Sequence, residues 1–440
     1  MQTALSWGFS IVLPLLLCLA APAGAGPKPA EAFTSLTDDG GWCWFADPRA
    51  VQHNGRTFAG WVDAHGSVVA GCLDHASGKI TTFTLHGNYE KDDHDNPSFV
   101  ILADGRLRAF YTRHGVENAI HSRVTRRPGD ISDWEPETVF TPKDPSPKNS
   151  GITYSNPFLL SAENHALYLF WRGQSYKPTM ARSTDGGVTW SDARPVFSKP
   201  GLPAGNRPYA KYASNGRDRI HLLFTDGHPR NEPLNSVYYV CYRDNAFHRA
   251  DGTRICGIGE LPIPPDKADK IYQATPAAGR AWVWDIAFDA QDRPVVAYTR
   301  LPAETDHRYH YACWNGKAWQ DAELCPAGGW FPQTPVGKKE REPHYSSGLA
   351  IDPLSPNVVY LTRPVNGVRE LERWTTADSG MTWQTEAVTS GSKHDNIRPH
   401  VIRNHAKDGP TVLWQNLSDH YVHYTDYRCS IKIDRPAEHP

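Results

Sequence analysis

Helical periodicity is the first thing this chain lacks. No long stretch repeats its apolar residues every three to four positions, which leaves a nearly all-β protein as the expected class. Surplus charge is missing too: Lys and Arg number 46 against 48 Asp and Glu, a formal net charge of -2. That balance excludes a nucleic-acid binder held by bulk charge, though not a local patch. Paired C-x-x-C motifs are absent, and with them a zinc module of that kind. Nor is any apolar run long enough to span a bilayer. Residues 11–20, followed by Ala23-Gly24-Ala25, have instead the pattern of a secretory signal, although no Lys or Arg precedes them. Leu17 before Cys18 argues against a lipoprotein site, where a small residue is expected. The expectation is a signal peptide over residues 1–25 and one domain over 26–440, secreted or periplasmic, monomeric, and free of the membrane once the signal is removed. Seven cysteines would remain. Cys241/Cys256 and Cys313/Cys325 are close enough in sequence to staple hairpins, or to stand as buried thiols.

What is plentiful is aromatic and turn-forming residues: Trp 15, Tyr 19, Phe 15, Gly 35 and Pro 36. They recur to one plan, an entry loop, an apolar strand, a turn with Gly, Asp or Asn, a second apolar strand, then more polar strands. The unit begins near Phe45, His94, Tyr154, Arg207, Trp282, His344 and Asn396. Seven such units fit radial repetition, a seven-bladed β-propeller with four-stranded antiparallel blades, better than a sandwich. Ser183-Thr184-Asp185-Gly186-Gly187-Val188-Thr189-Trp190 and Thr376-Ala377-Asp378-Ser379-Gly380-Met381-Thr382-Trp383 share S/T-x-D-x-G-x-T-W. They resemble the Asp-box turns of sialidase-like propellers, and their reading is structural.

In a propeller every first-strand entry and second-strand exit opens on the same face. The residues at those positions are His94, Asn96, Arg113, His114, Tyr154, Arg172, Arg207, Tyr209, Lys211, His228, Arg300, His344, Arg363, Arg398 and His400, with few acids (Asp63, Asp226, Asp285). Blade 2 shows the logic best. The turn Ala103-Asp104-Gly105 folds a hairpin whose antiparallel strands return His114 to the end where His94 entered. Cations and imidazoles gathered at one mouth predict an anionic ligand, and a carboxylated sugar suits a secreted protein rich in aromatics.

On a 4-linked uronate such a site has the parts for β-elimination. Arg clamps the C6 carboxylate and acidifies the C5 proton. A neutral His, or a Tyr of lowered pKa, removes that proton, and a Tyr hydroxyl protonates the leaving O4. His94, His114, Tyr154 and Arg172 supply these groups, and no cofactor is required. Asn96, Arg113, Arg207, Tyr209, Lys211, His228, His344 and Arg363 are the expected substrate contacts. Hydrolysis, which normally needs two carboxyls across the bond, is less well served.

Gly41-Trp42-Cys43-Trp44-Phe45-Ala46-Asp47-Pro48-Arg49-Ala50, His94-Asp95-Asn96-Pro97, Tyr154-Ser155-Asn156-Pro157, Arg207-Pro208-Tyr209, Thr225-Asp226-Gly227-His228-Pro229 and the two Asp boxes resemble the BNR-repeat seven-bladed propellers. That group includes ulvan lyases and rhamnose–glucuronate lyases, with a sister family of α-L-rhamnosidases acting on rhamnosyl-α-1,4-glucuronate. The resemblance spans the mature chain. It implies an acidic polysaccharide of uronate and rhamnose as substrate, with His94, His114, Tyr154 and Arg172 at the catalytic positions. The rhamnosidases place a catalytic His in the first blade, and residues 42–47 hold none. Some relatives carry a structural calcium or zinc, for which no decisive ligand set stands out here. The expectation is a lyase; an exo-α-L-rhamnosidase and a non-catalytic glycan-binding propeller are the alternatives.

Overall fold

The computed structural model describes residues 33–146, 148–199, 201, 205–329 and 347–435; the expected signal and His344 lie outside them. Seven antiparallel sheets follow one another along the chain. Their innermost strands are Ala50–His53, Ser98–Ile101, Thr153–Leu160, Ala210–Ser214, Arg280–Phe288, Leu349–Ile351 and Asn396–Val401, numbered blades 1 to 7 below. The innermost strands of blades 1 and 2, 2 and 3, 4 and 5, 5 and 6, and 6 and 7 touch one another. A bridge between Val51 and Arg403 links blade 7 back to blade 1. This is the expected propeller.

Turn chemistry sets the strands. Asn54-Gly55 and Asn366-Gly367 all take positive φ, the hairpin geometry whose twist matches that of the flanking strands. In blade 2 the register runs Ser98↔Phe110 to Ile101↔Leu107, the hairpin expected around the turn Ala103-Asp104-Gly105. Five sheets have four strands. Blade 2 adds Asp130–Trp134, and blade 4 adds Arg254–Gly257 and Asp269–Tyr272. Blade 7 is completed by Phe33–Thr37, which pairs with Asp426–Asp434, so strands from both ends of the described chain close the ring.

The first unit was expected to begin near Phe45, but its inner strand starts at Ala50, and residues 42–49 form a segment on the axis. Asn96 of blade 2 accepts the Cys43 N–H at 3.1 Å, and Asn156 of blade 3 donates to the Phe45 carbonyl at 3.1 Å. Lys211 of blade 4 bonds the Trp44 carbonyl, Trp44 stacks on Trp284 of blade 5 at 4.6 Å, and Arg398 of blade 7 donates to the Trp42 carbonyl at 2.6 Å. A segment that reaches five blades at once must lie at their centre.

Both Asp boxes are turns tied by their aspartate, as expected. Asp185 accepts the Thr189 N–H at 2.9 Å and Asp378 the Thr382 N–H at 2.8 Å. Trp190 stacks on Phe140 at 5.1 Å. The seven described cysteines are free thiols. Cys241 and Cys256 stand on strands separated by a third, Ala246–His248. Cys313 faces Gln320 while Cys325 faces Tyr309, so this pair is offset along its hairpin. Both separations exceed what a disulfide spans.

Candidate active site

The site grows from the segment joining blade 1 to blade 2. Asp92 caps a single 3-10 turn, Asp93–Asp95, by accepting the His94 N–H at 3.0 Å. The same carboxylate has a second task. Its Oδ1 lies 2.7 Å from Nδ1 of His94, and its Oδ2 lies 2.8 Å from Nδ1 of His114. An ionised carboxylate only accepts, so each ring donates its Nδ1 hydrogen to Asp92 and turns Nε2 away. The imidazoles stack, with centroids 4.0 Å apart and planes 8° from parallel.

Two rings so close on one carboxylate do not share its charge equally. Burial works against protonation of both. At His94 the neighbouring groups, the hydrogen-bonded Asp92 carboxylate among them, outweigh it, and the pKa rises well above the ordinary histidine value. At His114 burial and the charge on His94 prevail over Asp92, and the pKa falls to about 4. Near neutral pH the pair is one imidazolium and one imidazole. Burial would raise the pKa of Asp92, but the two rings hold it below the usual carboxylate range.

Tyr154 enters from blade 3 on a bulge, where the register of its strand slips between Thr153 and Asn156 and its own φ is 64°. A left-handed residue in a bulge re-aims a side chain that regular pleating would send elsewhere. The ring lies 5.7 Å from that of His94, and the Arg172 guanidinium carbon lies 5.3 Å from it on another side. Burial, with Tyr209 beside it, lifts the Tyr154 pKa well above the ordinary tyrosine value, so the phenol keeps its proton. Arg172 donates to Thr153 Oγ1 at 2.8 Å and Tyr209 Oη at 3.2 Å, while its buried Nε has no hydrogen-bond partner among the described residues. Gly115 leaves room for it: at a φ of 75°, a Cβ there would stand 2.6 Å from Ser150 Oγ and 3.3 Å from Arg172 Nη2.

The structure thus brings together His94, His114, Tyr154 and Arg172. Tyr209 joins them through Arg172, Arg207 stacks on Tyr176 at 4.1 Å beside it, and His228 packs on Tyr209 at 5.4 Å. Burial and the charges of Arg207 and Arg230 lower the pKa of His228 to about 3. Other expected contacts have partners within the fold. Asn96 is buried and holds the axial segment. Lys211 is buried on Asp47. Arg363 is clamped by Glu372 through two 2.8 Å bonds. Arg113 lies over the Tyr89 ring at 5.1 Å, facing Glu117. Among the further mouth candidates, Arg300 pairs with Asp321, Arg398 with Asp93 at 2.5 Å, and His400 is buried 3.5 Å from Asp47.

Sequence reasoning missed Asp92, whose signal was an acid two positions ahead of His94. It also missed Tyr424, at the tip of the long blade 7 hairpin. The Tyr424 ring meets both imidazoles edge-on, at 4.7 and 5.3 Å, and its carbonyl accepts the Asp93 N–H at 2.9 Å. Asp92, His94 and His114 have donor atoms within 4.8 Å of one another, as do Cys43, Asp93 and His94, so either set has the donors of a cation site.

An ulvan lyase, "Ulvan Lyase-PL25", of Pseudoalteromonas sp. (strain PLSV) is 24% identical over 325 residues, 62% of this chain and 62% of its own. An ulvan lyase of Alteromonas sp. (strain LOR) is 21% identical over 323 residues, 62% of this chain and 63% of its own. The chain therefore spans less than two thirds of the length of either relative. A solved polysaccharide lyase structure, an ulvan lyase bound to -[GlcA(1-4)Rha3S]-, superposes with a TM-score of 0.68 at 17% identity, covering 92% of this chain and 95% of that one. The fold is thus one already seen in a carbohydrate-active protein. The BNR repeat-containing family model matches residues 56–325, more than half of the sequence, and the chain belongs to that family.

Proposed function

We propose that the protein is a polysaccharide lyase that cleaves rhamnose–uronate polymers of the ulvan type at a 4-linked uronate, by β-elimination. The observation that carries the reading is the split imidazole pair on Asp92, set against a protonated Tyr154 and an Arg172 that faces no carboxylate among the described residues. Arg172 and the His94 cation would take the C6 carboxylate and stabilise charge that develops on it as the C5 proton leaves. His114 offers a neutral Nε2 to remove that proton. The C5–H electrons form the C4=C5 double bond, the C4–O4 bond breaks, and O4 takes the phenolic proton of Tyr154. Asp92 stabilises His114 once it is charged, and exchange with water returns both groups to their starting states.

Elimination fits better than hydrolysis because the two carboxylates that touch His94 are engaged, Asp92 by the two imidazoles and Asp93 by Arg398 and Tyr421. The two relatives named as ulvan lyases support the substrate class. A polymer of this kind is met outside the cell, which agrees with the signal read in residues 1–25. The test is incubation with ulvan while following the absorbance of the 4,5-unsaturated uronate. A steady rise is expected; free rhamnose released without that absorbance would sink the proposal.

A further inference from the structure

A basic cleft lies beside the proposed site, across one turn of blade 3. The strand Ala166–Arg172 ends in Arg172, and the next strand is Pro178–Ser183. The turn between them is closed by the Gly173 N–H, which donates to the Lys177 carbonyl at 2.8 Å. Its Tyr176 ring serves the proposed site, with the guanidinium carbons of Arg172 and Arg207 at 5.7 and 4.1 Å. The residues on either side of Tyr176, Ser175 and Lys177, line a cavity of about 940 Å³ instead. The loop joining blade 2 to blade 3 and the outer strand Arg194–Pro195 supply the rest of its wall.

The charge of this cleft has one sign. Lys143, Lys148, Lys177, Arg194 and Lys199 line it against Asp144 and Asp192. Lys199 pairs with Asp226 at 2.9 Å, but Lys143, Lys148 and Arg194 pair with no acid among the described residues. Lys177 is 8% exposed and donates to the Asn206 carbonyl. Burial lowers its pKa to about 8, a cost that an anion beside it would offset. Ser175 is 5% exposed, and its hydroxyl has no hydrogen-bond partner among the described residues, although a buried hydroxyl normally has one. Asp144 Oδ2 is likewise unpartnered, but one carboxylate does not reverse the sign of the cleft. We infer that the cleft is a second anion subsite, outside the point of cleavage, that holds a sulfate or carboxylate group further along the same polymer chain. The inference takes its ligand from the acidic-polymer reading above. A chain seated at Arg172 and passing Tyr176 meets Ser175 and Lys177 next. The ammonium groups act as point charges that suit either anion, and the Ser175 hydroxyl donates to one of its oxygens.

The test titrates ulvan into the mature protein carrying His114→Ala, to suppress turnover, and reads affinity by calorimetry. Desulfated, carboxyl-reduced and doubly treated ulvan are titrated alongside. Adding Lys143→Gln, Lys148→Gln and Arg194→Gln together, at three exposed positions, should weaken native ulvan about tenfold, the scale of three exposed ion pairs. The same change should flatten the dependence of binding on salt. Ser175→Ala should leave the unfolding midpoint unchanged and cost roughly 3–10-fold in affinity, the worth of one hydrogen bond. A loss that vanishes on desulfated polymer assigns the bound group as sulfate, and one that vanishes on carboxyl-reduced polymer assigns it as carboxylate. Affinity equal to that of the parent protein in either variant would overturn the inference, as would an equal loss on polymer stripped of both groups. These affinities do not depend on elimination. A wild-type protein that yields no unsaturated uronate refutes the lyase reading and leaves the subsite testable. In an active enzyme the triple substitution should raise KM and leave kcat unchanged.

Discussion

Blades 3 and 7 carry the same local device and use it for opposite ends. Each innermost strand has a bulge with one left-handed residue, Tyr154 at φ 64° and Arg398 at φ 50°. In blade 3 the device delivers a phenol beside His94 and Arg172. In blade 7 it delivers a guanidinium to the fully buried Asp93. The second strands divide in the same way. Arg172 of blade 3 meets hydroxyls and aromatic faces, whereas Arg300 of blade 5 pairs with Asp321 and Arg363 of blade 6 with Glu372. A cation at the mouth is therefore only a candidate. What separates a ligand-binding arginine from a structural one is whether an acid already holds it.

The widest gap between the two regions should show in turnover. His114→Ala and Tyr154→Phe should each reduce elimination by roughly 10²–10⁴-fold, the range for losing a positioned acid or base. Thermal unfolding should stay near wild type, because neither side chain holds two blades together through a charge. Activity retained in both variants would dissolve the contrast. Arg398→Met should do the reverse. It strands Asp93 in a site with no solvent, a loss of about 3–5 kcal/mol of stability by the measure of broken buried pairs. Denaturant titration measures it, and an unfolding midpoint equal to wild type would mean that Tyr421 and the His94 ring, 3.1 Å away, suffice to hold Asp93.

The residues of the proposed site were legible because the signals are local. Asp104-Gly105 fixes the blade 2 hairpin, and the hairpin brings His94 and His114 together. The propeller was legible for the same reason, seven similar units each with its own turns. What could not be read is what depends on partners far along the chain. Lys211 meets Asp47 across 164 positions and Arg398 meets Asp93 across 305, so both cations looked available. Phe33–Thr37 pairs with the other end of the chain, and Tyr424 reaches the site from the last blade, each by closure of the ring rather than by any local pattern. Asp92 was local but was passed over, because acids seemed scarce at the mouth.

The pH profile sharpens the comparison at lower amplitude. His114 must be neutral, so kcat/KM should rise as pH passes upward through about 4. His94 must be charged, so it should fall on the alkaline side, above the ordinary histidine pKa near 6.5. Asp92→Asn removes the carboxylate that favours the His94 cation, and should bring the alkaline limb to lower pH. The same shifts act on stability with opposite signs. His94 contributes below about pH 6.5 and loses its contribution as pH rises through its raised folded value. His114 binds fewer protons folded than unfolded, so its effect is a loss of stability as pH falls from about 6.5 to about 4. A flat profile across this range would show that the two rings do not differ.

The smallest effect is expected where the sequence promised a contact and the structure shows a clamp. Arg363 is 37% exposed at its side chain and held by both oxygens of Glu372, which also accepts the Trp374 indole N–H at 2.8 Å. Arg363→Gln removes the pair but leaves the buried Glu372 bonded to Trp374. The cost should be about 1–3 kcal/mol, the range for a buried acceptor that loses one partner. Turnover of the polymer should be unchanged, because Glu372 already holds the guanidinium. Arg172→Gln, the same substitution at the corresponding strand in blade 3, should instead raise KM and lower kcat together, since it removes both the clamp and the charge that acidifies C5. If Arg363→Gln lowered kcat/KM by tenfold or more, the division between held and open arginines would fail. The whole basic rim would then have to be treated as substrate-binding surface.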